Sequence, residues 1–77
     1  MKLATLLGNI YQDQRLVIIE YPTMKMIYEG KAAFVINRMD IRRRYIAWFE
    51  SCLKYKDTKR EEVSSALKVY VSKREKL

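Results

Sequence analysis

Arg42, Arg43 and Arg44 run together just before Tyr45 and Trp48, and Lys54, Lys56, Lys59 and Arg60 gather around Tyr55. Guanidinium and ammonium groups hold phosphates while aromatic rings accept stacked bases, so this interleaving is the composition of a platform for single-stranded nucleic acid. If the region is a strand, Arg44, Trp48 and Lys54 share a face with Lys68 and Tyr70 near the carboxyl end. Those ten residues (Arg42, Arg43, Arg44, Trp48, Lys54, Lys56, Lys59, Arg60, Lys68 and Tyr70) are the candidate nucleic-acid or partner-binding set. The competing account covers Trp48 and Tyr70 with the second half of the chain or with another copy, and leaves the charges as ordinary solvated surface.

Residues that could carry a reaction are scarce. There is no histidine to serve as the usual general base, and no two carboxylates stand at a spacing that suggests a shared site. Cys52 lies beside Leu53 and near Phe49, and reads as a small buried hydrophobe, since a thiol nucleophile needs a base next to it. Gly8 and Gly30 stand alone, so no glycine-rich loop cradles a phosphate. Without histidine or paired cysteines a transition-metal site is excluded. The expectation is a protein that is not an enzyme and has no catalytic residues, metal or cofactor.

Seventy-seven residues make one small domain, 1–77, of a size that buries only about 60% of the surface its unfolded chain exposes. A composition 49% hydrophobic with two glycines and one proline belongs to a folded globule, and so thin a core favours a homodimer. The net charge of +7 is unevenly spread: residues 1–30 sum to zero, residues 31–60 to +6 and the remainder to +1. A negatively charged partner suits that asymmetry, whether a phosphate backbone, an acidic protein or an anionic membrane face. The apolar run at the amino terminus is broken by Thr5, Gly8 and Asn9, and no stretch approaches 18 apolar residues. No export signal and no membrane span are expected, and the location is expected to be cytoplasmic.

The elements that must position these residues are led by residues 15–30. Residues 15–21 are dense in β-branched and aromatic residues, Pro22 and Thr23 interrupt them, and 24–29 resume before Gly30: a hairpin. In its first strand both alternating sets are apolar, as a central strand requires. In its second, Met24, Met26 and Tyr28 are expected to face the core. Leu3, Leu6, Leu7, Ile10 and Tyr11 share one face of a helix over about 2–11, which covers the hairpin. Asn37 as N-cap, with Asp40 three residues on, predicts a short helix or turn over about 38–43.

The order helix, then LVIIEY, five intervening residues, then IYEG resembles a group of short uncharacterised proteins of Firmicutes genomes and their phages. Those are written with an acidic residue and tyrosine, a turn, then leucine, tyrosine, glutamate and glycine. The matching positions are Glu20, Tyr21, Ile27, Tyr28, Glu29 and Gly30. The resemblance covers roughly residues 1–36. It implies an N-terminal helix over a mostly antiparallel sheet and a mobile-element setting, and brings no active site. The chain departs from the group in its basic character after Lys31.

Beyond residue 43 the periodicity fits two elements. Residues 44–55 alternate well as a strand, while Ile41, Tyr45, Trp48, Phe49 and Cys52 also make a helical stripe. Near the end, Leu67, Val69 and Val71 suit a strand, whereas Val63, Ala66, Leu67, Tyr70 and Val71 suit a helix opened by a capping box from Thr58 to Glu61. Strands are favoured, because the hairpin needs pairing partners. Residues 56–65 then form a charged connection and 72–77 fray. The expected fold is α+β, an N-terminal helix on a mostly antiparallel sheet of about four strands; the alternative is helix, hairpin and two C-terminal helices. The expected function is that of a small basic binding module of a phage or mobile element, contacting nucleic acid. The alternative is a protein-binding inhibitor or modulator of a host system, anti-CRISPR-like, acting on a charged defence nuclease.

Overall fold

The computed structural model describes residues 1–56 and 63–74, with the side chains of 53–56 and 63–64 left outside the description. The chain folds as α1 (Leu3–Leu7), β1 (Arg15–Glu20), β2 (Lys25–Lys31), α2 (Ala32–Val35), α3 (Met39–Arg42), β3 (Tyr45–Lys56) and β4 (Val63–Ser72). This is the α+β class, with a four-stranded sheet in the order β2-β1-β4-β3. The β1–β2 and β3–β4 pairs are antiparallel and β1–β4 is parallel, so the sheet is mixed.

β1 lies between β2 and β4, which is why both of its alternating sets are apolar. Leu16 and Ile18 are fully buried on one face and Val17 is 3% exposed on the other. The three short helices cover the first face. Leu3 and Leu7 of α1, Ala32 and Val35 of α2 and Ile41 of α3 close on Leu16, Ile18, Val69 and Val71 to make the core. Burying these apolar side chains is the main term holding so small a domain together.

The first helix ends at Leu7, four residues before the predicted limit. Gly8 is its C-cap, still in right-handed helical geometry with its amide bonded to the Ala4 carbonyl, and the Asn9 side chain donates to the Thr5 carbonyl. Ile10 still packs against the core, but Tyr11 is 87% exposed and belongs to no apolar face. The segment before α1 is tied down by backbone bonds, Leu3 N to Arg44 O at 2.9 Å and Ile46 N to Met1 O at 2.7 Å. It thereby shields the start of β3. The single turn expected over 38–43 is α3, with Arg38 rather than Asn37 at its N-cap. Ser72 does not fray: it is buried, and its hydroxyl donates to the Arg74 carbonyl. β4 begins at Val63, inside the stretch expected to be a connection, and the capping box from Thr58 lies outside the described residues.

Three irregularities in the ladders decide which side chains face where. In β2, Ile18 pairs with Tyr28 while Ile19 pairs with Met26, so Ile27 is the extra residue. Ile27 and Tyr28 therefore pack on the core, and Met24 and Met26 stand exposed, against the expectation that both methionines face inward. In β3, Ile46 pairs with Val71 and Trp48 with Tyr70, leaving Ala47 as the extra residue. Ile46 joins the core beneath the helices and Trp48 passes to the opposite face. A second shift lies between Cys52 and Tyr55. Bulges of this kind also twist an edge strand away from unwanted pairing.

Candidate functional site

The face of the sheet away from the helices is built in rows that the registers fix directly. Met26, Ile19, Tyr70 and Trp48 lie in line across β2, β1, β4 and β3. The next row is Glu29, Val17, Lys68 and Glu50, and the third is Lys31, Arg15, Ala66 and Cys52. An aromatic row thus lies beside a charged row.

The aromatic row has defined geometry. The Trp48 and Tyr70 rings stack with centroids 4.3 Å apart and planes 17° from parallel. Tyr21, just past the end of β1, meets Trp48 edge to face at 5.3 Å and 73°. Tyr70 is 8% exposed beneath this cover, whereas Trp48 keeps 40% of its surface in solvent. The Tyr70 hydroxyl donates to Glu50 Oε1 at 3.1 Å. Burial pushes the Tyr70 phenol above its ordinary range, and the hydrogen bond and charge of Glu50 act in the same direction. Tyr70 accordingly stays a neutral donor that orients the Glu50 carboxylate.

Of the ten residues picked out by sequence, Trp48, Lys68 and Tyr70 meet on this face. The arginine run does not join them: the expected placement of Arg44 with Trp48 on one strand face is corrected, because β3 begins at Tyr45 and the Ala47 bulge reverses the parity between the two. Arg44 precedes β3 and turns to Glu20, with Nη1 2.5 Å from Oε2 and both side chains largely covered. The Arg44 hydrogen bond, followed by the Thr23 hydroxyl, holds the Glu20 carboxyl below its ordinary value. Arg42 donates to the Ile36 carbonyl and to the Met39 sulfur, which keeps it within the α2–α3 layer. Arg43 is exposed at the C-terminal end of α3. Lys54 and Lys56 belong to β3 by their backbone, and Lys59 and Arg60 fall outside the described residues.

The rows also bring Arg15, Lys31 and Glu50, which lie outside the ten, to the same face, together with Met26, expected from the sequence to face the core. Strand alternation places Arg15 and Lys31 with Val17 and Glu29, and Glu50 with Trp48; Met26 is legible only once the β2 bulge is known. Among the described residues no cluster of acidic, cysteine or histidine side chains could hold a metal ion, and no helix is long and apolar enough to cross a membrane. No family model, curated protein or solved structure matches the chain.

Proposed function

We propose that the protein is a non-enzymatic module that binds single-stranded nucleic acid on the open face of its sheet. The observation that supports this reading is the Trp48–Tyr70 stack: an aromatic pair whose outer member is 40% exposed, next to Lys68 in the adjoining row. A base stacks on the exposed indole, and the ammonium group takes the neighbouring phosphate. Among the described residues the helices pack on one face of the sheet and the Trp48–Tyr70 pair stands on the other, where the partly exposed indole gives the necessary access. Base stacking of this kind is worth about 1–3 kcal/mol per base, enough for a short strand to bind in the presence of several contacts.

A second reading, a protein-directed modulator of a host system, draws on a different observation. Met26 and Trp48, at the two ends of the aromatic row, are 48% and 40% exposed, and an exposed methionine and tryptophan on one sheet face suit a pliant protein interface. A mobile-element setting, a cytoplasmic location and a homodimer belong to the proposal. Sedimentation showing a monomer at high concentration removes the last of these.

Trp48 is the sole tryptophan, so its fluorescence reports the site directly. Titration with mixed-sequence single-stranded oligonucleotides is expected to quench that emission, with affinity falling steeply as salt rises and with weaker binding to duplexes. No quenching and no anisotropy change at low salt overturns the nucleic-acid reading.

A further inference from the structure

A carboxylate is an unexpected neighbour for a phosphate-binding face, because it repels the backbone that Lys68 attracts. Glu50 nevertheless stands on this face, exposed on the edge strand β3, two residues along from Trp48 and in register with Lys68. It is held rather than free, since Tyr70, the ring beneath Trp48, donates to its Oε1 at 3.1 Å. Among the described residues no ion pair engages its other oxygen. One residue thus supports the stacking ring and aims an acceptor beside it.

We infer that Glu50 reads the base stacked on Trp48 and selects for one that offers an exocyclic amino group. This inference rests on the single-strand reading above and names what that site prefers. A carboxylate only accepts hydrogen bonds, so it pairs with an amino donor such as N4 of cytosine. Thymine and uracil present a carbonyl oxygen at that position, and two acceptors facing each other repel. Lys68, one strand over, supplies the phosphate contact that carries no sequence information. The acidic residue therefore costs some general affinity and gives discrimination in return, the usual division between base-edge contacts and backbone contacts.

The test compares homo-oligomers of deoxycytidine and deoxythymidine of equal length. Both are pyrimidines, and they differ at the position in question by an amino group against a carbonyl. Binding of each is followed by Trp48 quenching with the full chain at fixed pH and salt. The cytosine strand is expected to bind roughly tenfold tighter, the scale of one good base-edge contact. Glu50→Gln, whose amide can both donate and accept, is expected to bring the two affinities within about twofold while circular dichroism stays unchanged. Equal affinities for the wild-type chain, or a preference for thymine, overturn the inference and leave the single-strand reading standing. Failure of both strands to bind at low salt removes that reading and the inference with it. A cytosine preference that survives Glu50→Gln assigns the selectivity to another group and overturns the role of Glu50.

Discussion

The Arg44 guanidinium lies 2.5 Å from the Glu20 carboxylate, joining the end of β1 to the entrance of β3 across the end of β4, the strand between them. Neither side chain is more than 22% exposed, and Arg44 Nε is buried without a hydrogen-bond partner among the described residues. The pair closes the end of the sheet that carries the cis Tyr21–Pro22 turn. It gives the Arg44 guanidinium an internal partner.

Acid is therefore expected to loosen the fold through Glu20. Its carboxyl is held below the ordinary value of 4.5, chiefly by the hydrogen bond from Arg44, so it contributes stability that is fully present above that value. The contribution is lost as pH falls through the lower, folded-state value. Glu20→Gln should be less stable at neutral pH, because Arg44 loses its ionic partner, and should show a shallower loss in acid. Urea unfolding from neutral pH downward checks this, and parallel acid profiles for the two proteins count against it.

Gly30 is required where Tyr28 folds back over the chain. The Tyr28 hydroxyl donates to the Lys31 carbonyl at 2.6 Å, and a Cβ on Gly30 would meet that hydroxyl oxygen at 2.8 Å, at a φ of +157°. Gly30→Ala is expected to destabilise by more than about 1 kcal/mol, and Tyr28→Phe by about 1 kcal/mol. The two should not add, because removing the hydroxyl relieves the closest contact. A double-mutant cycle in denaturant measures the coupling.

The same local physics explains what the sequence could and could not reveal. The hairpin and the central place of β1 were legible in their β-branched and aromatic residues, whereas residues 44–55 fit a helix as well by period and are favoured as a strand, β3 over Tyr45–Lys56, by their composition and the need for pairing partners. Gly30 reads as the stop after the second strand, whereas β2 runs through it to Lys31, and the reason for a glycine there is the phenol crossing it. Bulges were illegible. An extra residue at Ile27 or Ala47 is set by how the strand fits its neighbour, and each reverses the parity that places every later side chain. That is why Met26 emerges on the open face, and why Ile46 and Trp48 part company. The arginine run misled for a different reason: charge composition does not show that Glu20, 24 residues away, neutralises Arg44.

Trp48 is expected to serve both the fold and the site. Trp48→Ala uncovers Tyr70 and should cost more than about 1 kcal/mol, since the stack adds to the area it buries. Trp48→Phe should retain most of the stability and only part of any binding to single strands. Unfolding followed by circular dichroism gives the first quantity and anisotropy with a labelled oligonucleotide the second. Wild-type affinity in both variants would show that bases do not stack at this position.

The salt dependence of binding locates the interface, because each phosphate contact on a single strand contributes about −0.7 to the slope of log affinity against log salt. Lys68 shares the open face with Trp48, whereas Arg43 is exposed at the end of α3 in the helical layer. Lys68→Ala is expected to flatten the slope by about 0.7 and Arg43→Ala to leave it unchanged. Both should fold normally, exposed or partly exposed charges contributing little to stability. Arg44→Ala behaves differently, lowering stability by removing the partner of Glu20 while leaving the slope as it was. Titrations of the four proteins at several salt concentrations separate these outcomes. A slope that responds to Arg43 and not to Lys68 would move the nucleic acid to the helical side of the sheet and strip the Trp48–Tyr70 stack of its role.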